Sequence, residues 1–196
     1  MDAEAWDERY RATEMLWSGG PNIFVEDRLS DREPGVGLDL ASGEGRNAIW
    51  LAKKGWDMTA VDFSPVAVER GRAQTDDVEF IDADVFTWEP DRRFDLVLIA
   101  YLQVEAEPLA NLVERVIGWL NPQGELFMVG HDVSNVDEGV GGPQVRDILW
   151  DHDLMLEWLG PLRVIEAGVV ERPVEVDGDV RYARDTLVRA SLPPPS

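Results

Sequence analysis

The chain lacks cysteine altogether and has few histidines, little cationic charge and no long apolar run. Its 196 residues include no Cys, two His, and 18 Lys plus Arg against 39 Asp plus Glu. The absence of cysteine excludes a disulfide scaffold, a cysteine nucleophile and cysteine-liganded zinc or iron–sulfur centres. The acidic N-terminus MDAEAWDERY has no signal-peptide core, and no segment approaches the ~18 apolar residues of a membrane span. The sequence therefore predicts a cytoplasmic protein.

The acidic excess gives the chain a formal net charge of −21. A field of that sign repels the phosphates of nucleic acids and anionic membrane surfaces, so neither is an expected partner. Because 44% of the residues are hydrophobic, the chain can still build a core. We therefore expect a globular protein that acts on a small molecule, and the sequence leaves a homodimer open.

Short apolar runs alternate with helical patterns through the middle of the chain. This alternation predicts an α/β fold, a doubly wound (Rossmann-like), mostly parallel sheet. Ser64 and Pro65 predict the capped start of a helix. The predicted strands are 36–40, 58–61, 78–81, 96–100 and 125–129, and the predicted helices include 23–29 and 44–54.

Two later segments carry apolar side chains at helical spacing. The first stripe, 109–120, predicts a helix that Asn121-Pro122-Gln123-Gly124 ends. The second, 145–159, predicts another helix stopped by Gly160-Pro161. Two β-rich runs follow, 163–170 and 180–190, and Asp177-Gly178 predicts a tight hairpin turn between them. The predicted domains are an N-terminal helical lid over 1–34, a catalytic domain over 35–191 and a disordered tail over 192–196.

A glycine-rich loop lies between the first predicted strand and the helix that follows it. Gly43 and Gly45 allow a sharp turn and a close approach of the backbone to a ligand. Asp62, at the end of the second strand, is placed to accept hydrogen bonds from both hydroxyls of a ribose. Phe63 beside it offers a flat apolar face for an adenine. This pattern alone also fits a dinucleotide site.

Two further carboxylates favour a cationic nucleoside over a dinucleotide. Asp39 sits four residues before Gly43, where it could meet a cationic group of the ligand, whereas a pyrophosphate is disfavoured by that charge. Asp84 follows the third strand and is placed to take the exocyclic amine of an adenine. In addition, about 65 residues after the fifth strand are too few for the separate substrate domain that dehydrogenases usually add.

Five short motifs follow one another in order along residues 36–130. They are LDLASGEG at 38–45, VDFS at 61–64, DAD at 82–84, FDLV at 94–97 and LNPQGEL at 120–126. In order and spacing the series resembles the class I S-adenosylmethionine-dependent methyltransferases. The chain departs from the usual pattern at Ala41, where many members carry the first glycine of the loop.

The resemblance implies a seven-stranded sheet whose last strand is antiparallel, with S-adenosyl-L-methionine as cofactor and S-adenosyl-L-homocysteine as product. The leader, with Trp6, Tyr10 and Trp17, is similar to that of the small-molecule branch of thiopurine and tellurite-resistance-like enzymes, where an N-terminal helix covers the cofactor. An aromatic face over a sulfonium is a cation–π contact. The predicted cofactor-binding residues are Trp17, Asp39, Ala41, Gly43, Gly45, Arg46, Asp62, Phe63, Asp84, Val85 and Ala100.

Candidate catalytic residues follow the fourth and fifth strands. Tyr101 could contact the methionine portion or the substrate. His131 is the only imidazole at the carboxyl end of a strand, and histidine suits a general base near pH 7. Asp132 beside it could orient a neighbour or contribute to a metal site with Asp137 and Glu138, although an acidic loop is more often just solvated. We therefore predict no metal, and a flexible Gly-rich lid at 139–143.

These residues favour a small-molecule methyltransferase with a hydroxyl acceptor, because a hydroxyl needs a base and His131 can supply one. The runner-up is a thiol or chalcogen acceptor, which needs little help from a base. A nicotinamide-dependent reductase is disfavoured, since both lysines lie at 53–54 and no Tyr-x-x-x-Lys motif exists. A non-catalytic module that binds S-adenosylmethionine stays open.

Overall fold

The structure of the chain is a computed structural model that describes residues 20–194. Trp17 and most of the predicted N-terminal lid lie outside the described residues. Short helices and strands alternate along the described chain, as the sequence predicts. In order they are α1 (Ile23–Leu29), β1 (Val36–Leu40), α2 (Arg46–Lys53), β2 (Asp57–Asp62), α3 (Pro65–Arg72), β3 (Val78–Asp82), β4 (Phe94–Ala100), α4 (Ala106–Trp119), β5 (Leu120–His131), α5 (Asn135–Glu138), a 3₁₀ turn (Arg146–Ile148), α6 (His152–Leu156), β6 (Arg163–Val176) and β7 (Asp179–Ser191).

The strands form one seven-stranded sheet in the order β3-β2-β1-β4-β5-β7-β6. The β1–β2 and β2–β3 pairs are parallel, whereas β7 runs antiparallel to both of its neighbours, β5 and β6. The predicted fold class, a doubly wound sheet with an antiparallel last strand, is therefore confirmed. The chain divides into two compact units, Met1–Leu98 and Ile99–Ser196.

In the first unit, apolar strands are buried beneath short helices. Ser64 caps α3 as predicted, because its hydroxyl accepts a hydrogen bond from the Ala67 amide at 3.2 Å. Phe80 of β3 packs so closely under two helical segments that a Cβ at Gly45 or Gly71 would lie 2.5 or 2.3 Å from its ring. Glycine at these positions therefore sets how near the helices come to the sheet.

In the second unit, α4 buries the predicted stripe, with Leu109, Leu112, Val113 and Val116 at most 1% exposed. The helix ends at Trp119, close to its predicted end, but the predicted start of the fifth strand at residue 125 is wrong, because β5 starts directly after the helix, at Leu120. The early start of β5 is explained by hydrogen bonds to residue 192, which follows β7. The Gln123 amide donates to the Leu192 carbonyl at 3.0 Å, and the Leu192 amide donates to the Gly124 carbonyl at 2.9 Å.

The predicted helix over 145–159 is also wrong, because only a 3₁₀ turn and the five-residue α6 form there. Trp150 breaks the segment: its amide donates to the His131 carbonyl at 2.9 Å, and its carbonyl accepts from the Val133 amide at 2.8 Å. This extended pairing with the chain after β5 competes with helix formation. Asp151 then starts α6 afresh, since its side chain accepts from the Asp153 and Leu154 amides.

Strands β6 and β7 form a long hairpin. Its two-residue turn, Asp177-Gly178, has φ of +54° and +86°, as expected for the mirror-image turns that hairpins favour. Pairing of β7 with β5 stops at His131↔Asp185, whereas pairing with β6 continues to Val176↔Asp179. The hairpin therefore extends beyond the end of β5. Among residues 20–194, no helix has the length and apolar character needed to cross a membrane.

Candidate active site

The glycine loop, residues 41–45, connects β1 to α2 in the first unit. Three of its residues adopt left-handed backbone angles: Ala41 (φ +54°), Gly43 (+58°) and Gly45 (+77°). Two of them are glycines, which adopt such angles without strain. Ala41 has a side chain in the conformation that favours glycine, so the departure from the family pattern noted above falls on a strained position.

Asp62 ties the end of β2 to the glycine loop. Its carboxylate is 4% exposed and accepts hydrogen bonds from the Gly43 amide at 2.7 Å and the Ser64 amide at 2.9 Å. The assignment of Asp62 to the ribose stays a prediction.

Asp39, on β1, is a carboxylate buried without hydrogen bonds. It is 1% exposed, and neither oxygen has a hydrogen-bond partner among residues 20–194. Burial raises the pKa of Asp39 from 3.8 to about 7, against the opposing influence of the Ala48 amide and the Arg46 charge. A buried acid with unused acceptors fits the cationic part of a ligand, as S-adenosylmethionine would provide.

The remaining predicted cofactor residues of the first unit lie on loops or element ends. Asp84 is exposed, and its side chain accepts from the Phe86 amide at 2.9 Å, which shapes the loop after β3. Val85 beside it is buried, at 5% exposure. Phe63 and Arg46 are half-buried, the latter as the first residue of α2. Their contacts with a cofactor stay predictions.

In the second unit, both predicted catalytic residues join one cluster. Tyr101 directly follows Ala100, the last residue of β4, and has a φ of +60°. Its amide donates to the Val129 carbonyl of β5 at 2.7 Å. This places the Tyr101 ring centroid 4.9 Å from that of His131, the last residue of β5.

The partner that holds these side chains is Asp185, which lies directly across from His131 in the β5–β7 pairing. Its side chain is 0% exposed, and Oδ1 lies 3.2 Å from His131 Nδ1. Oδ2 accepts from Tyr101 Oη at 2.7 Å and from Arg172 Nε at 2.8 Å. We call His131, Tyr101, Arg172 and Asp185 the His131 cluster.

Asp185 is ionised although it is buried. Burial alone would raise its pKa, but interactions with His131, Arg172 and Tyr101 outweigh it and hold the pKa below the ordinary value. Asp185 and Arg172 are not among the residues that the sequence motifs predict. The available signal is an acid directly before the Thr-Leu-Val run of the last predicted strand, and the structure buries residues 185–188.

Asp132, suggested above to orient a neighbour or bind metal, is used structurally. It is 2% exposed and accepts from the Ser134 amide at 2.8 Å and the Thr186 hydroxyl at 2.6 Å. Asp137 and Glu138 pair with Arg146 and Arg184 at 2.7 and 3.0 Å. Within residues 20–194, no group of three or more ligating side chains could hold a metal ion.

The Gly-rich segment 139–143 lies beside His131 and is held there by hydrogen bonds. Asn135, 1% exposed, donates to the Gly141 carbonyl at 2.9 Å and accepts from the Arg184 amide at 2.7 Å, so it joins this segment to β7. At Gly142, a Cβ would lie 3.0 Å from His131 Nδ1. A side chain there would press on the imidazole.

Comparisons with known proteins agree with this fold and loop. Residues 38–124 match a family model described as a methyltransferase domain. A trans-aconitate 2-methyltransferase of Escherichia coli (strain 55989) is 33% identical over 92 residues, which are 45% of this chain and 36% of that protein. A probable thiol methyltransferase 2 of Arabidopsis thaliana is 26% identical over 166 residues, 79% of this chain and 72% of that one. The chain thus spans about a third of the length of the trans-aconitate relative.

Among solved structures, the N-methyltransferase NodS of Bradyrhizobium japonicum, in complex with S-adenosyl-L-homocysteine, has a TM-score of 0.72. It is 18% identical, and the match covers 98% of this chain and 100% of NodS. The sheet order and the glycine loop agree with this fold, and the matched domain makes residues 38–124 similar to methyltransferases. The resemblance seen in the sequence, to small-molecule S-adenosylmethionine-dependent methyltransferases, is confirmed as a similarity, and S-adenosyl-L-methionine as the cofactor stays a prediction.

Proposed function

We propose that the chain transfers a methyl group from S-adenosylmethionine to the hydroxyl of a small molecule, with His131 as the general base. The observation that carries the proposal is the buried, ionised Asp185 lying 3.2 Å from His131 Nδ1. In this proposal the first unit binds the cofactor and the His131 cluster activates the acceptor.

For the cofactor, the residues of the first unit fit a nucleoside with a cationic tail. The buried carboxylate of Asp39 suits an ammonium group, and a ribose would lie against Asp62, which is bound to the glycine loop through the Gly43 amide. The glycine loop brings backbone near the ligand without side chains in the way. When bound, S-adenosylmethionine supplies an electrophilic methyl group on a sulfonium.

For the acceptor, Asp185 sets which nitrogen of His131 is basic. An anionic oxygen beside Nδ1 favours a proton on that nitrogen and leaves Nε2 with its lone pair. Nε2 then takes the proton of a hydroxyl as its oxygen attacks the methyl group, and Asp185 stabilises the imidazolium that results. Tyr101 and Arg172 hold the carboxylate in place by hydrogen bonds at 2.7 and 2.8 Å.

A thiol or chalcogen acceptor is the second candidate, and the Arabidopsis relative named a probable thiol methyltransferase supports it. A thiol ionises near neutral pH and needs little help from a base. The trans-aconitate relative supports an oxygen acceptor instead, because trans-aconitate has no sulfur.

The cytoplasmic location and the homodimer stay predictions.

The decisive experiment follows transfer of a radiolabelled methyl group to panels of small alcohols, phenols, carboxylic acids and thiols. We expect His131→Ala to keep S-adenosylmethionine affinity and to lose at least about 100-fold in turnover of hydroxyl acceptors. His152→Ala, which removes the other histidine, is the matched control and leaves turnover unchanged. Turnover that survives in His131→Ala with thiols alone favours the second candidate. If S-adenosylmethionine binds without turnover on any panel, the chain is a binding module and the proposal is wrong.

A further inference from the structure

Arg172 holds a fixed position beside His131 through only one of its nitrogen atoms. On β6 it pairs with Ala183 of β7, just beyond the last β5–β7 pair. From there Nε reaches back to Asp185 Oδ2 at 2.8 Å and to Tyr101 Oη at 3.1 Å. The guanidinium carbon lies 5.7 Å from the centroid of the Tyr101 ring.

The other two nitrogens of this guanidinium are uncommitted. Among residues 20–194, Arg172 makes no hydrogen bond or ion pair other than the two through Nε. A guanidinium has five N–H donors in one plane, so four of them, on Nη1 and Nη2, are available to a ligand. The side chain is 25% exposed, and the Nε anchor fixes its orientation.

Asp185 does not use the guanidinium in the usual paired fashion. Arginine and a carboxylate often form two parallel hydrogen bonds. Here Oδ1 faces His131 and Oδ2 is shared between Tyr101 and Arg172, so the planar fork of Nη1 and Nη2 is left for a second anion. In a chain with a net charge of −21, an anionic ligand needs such a fixed cation to offset the general repulsion.

We propose that Arg172 binds a carboxylate of the methyl acceptor next to His131, so that the acceptors are small organic acids. The inference rests on the proposed function, since it names the acceptor class of the His131 cluster. A carboxylate has two oxygens in a plane that match the fork of Nη1 and Nη2. Arg172 in this role is a specificity-determining residue.

The test compares acids with their neutral amides as ligands of the full chain, by calorimetry without S-adenosylmethionine. The probe pairs are benzoate and benzamide, 4-hydroxybenzoate and 4-hydroxybenzamide, and succinate and succinamide. We expect at least one acid to bind tenfold or more tightly than its amide, and Arg172→Gln to remove the preference. Arg181→Gln, which removes an exposed arginine of β7, is the matched control and keeps it.

Arg172→Lys guards against a loss of fold, since lysine keeps the charge beside Asp185 but has no planar fork. We expect it to unfold at the wild-type temperature and to lose about tenfold in acid affinity. Equal binding of every acid and its amide by the wild type overturns the inference, as does a preference that survives in Arg172→Gln. Inorganic phosphate that competes as well as the best acid overturns the assignment to a carboxylate.

These measurements separate the inference from the proposed function. Acid binding is measured without the methyl donor, so the preference for acids can be found even if no methyl transfer occurs. Conversely, methyl transfer to neutral alcohols with no preference for acids would support the base and refute the role of Arg172.

Discussion

The buried carboxylate of Asp39 makes a quantitative prediction about stability and pH. Its pKa is 3.8 in the unfolded chain and about 7 in the folded chain, raised by burial. Between these values the folded protein holds a proton that the unfolded chain has released, so stability falls as pH rises. The slope is 1.36 kcal/mol per pH unit well below pH 7 and flattens near the folded pKa, so the loss from pH 5 to pH 7 is about 2.3 kcal/mol, and little changes above pH 8.

Asp39→Asn removes this titration and should therefore gain on the wild type as pH rises. We expect the free energy of unfolding of the variant, minus that of the wild type, to increase by about 2.3 kcal/mol from pH 5 to pH 7. Urea unfolding followed by tryptophan fluorescence at pH 5, 6, 7 and 8 measures this difference. Titrations that occur in both proteins cancel in this difference. A change in stability that the amide causes equally at every pH shifts the curve but not its slope, so it does not affect the test.

Asp91→Asn is the control, since it removes the same charge from an exposed position of the same unit. Its difference from the wild type should stay flat over this range of pH. The reasoning is refuted if the Asp39→Asn difference is also flat, or if it falls as pH rises. Either result would mean that the folded protein does not hold a proton on Asp39.

Two more predictions concern the same loop and its ligand. Ala41→Gly should stabilise the chain by about 0.5–1 kcal/mol, because relief of the left-handed backbone strain exceeds the added conformational entropy of glycine in the unfolded chain. A lower free energy of unfolding in urea would show that Ala41 is not strained. S-adenosylmethionine affinity should rise by up to tenfold per pH unit between pH 6 and 7 and level off above pH 8, because the ionised form of Asp39, whose pKa is about 7, binds the cation. Calorimetry measures this dependence, and the same slope in Asp39→Asn would assign the titration to another group.

Local signals in the sequence predict most of the first unit and the hairpin turn of the second. Strand β1 was predicted to the residue, Ser64 and Pro65 marked the start of α3, and Asp177-Gly178 marked the hairpin turn. In each case the deciding interaction lies within a few residues, such as a side-chain cap or a positive φ. The helix predicted over 145–159 failed for the opposite reason, since Trp150 pairs with the backbone near His131, about twenty residues earlier.

The same distinction explains why the sequence found His131 but not its partner. Asp132 is the nearest acid in sequence, but adjacent residues of an extended chain point to opposite sides. Its carboxylate accordingly reaches the Thr186 hydroxyl at 2.6 Å, while His131 faces Asp185 at 3.2 Å. The partner was fixed by the antiparallel register of β5 and β7, which joins residues 54 positions apart and has no local signature.

Two buried carboxylates, one in each unit, show how partners decide the charge that burial opposes. Asp39 and Asp185 are 1% and 0% exposed, and burial raises the pKa of each. Asp39 meets the Ala48 amide and the Arg46 charge, which lower its pKa less than burial raises it, so the pKa rises to about 7. Asp185 faces an imidazole, a phenol and a guanidinium, which bring its pKa below the ordinary value. The first acid can therefore gain its charge when a cation arrives, whereas the second is charged beforehand and can hold His131 in one orientation.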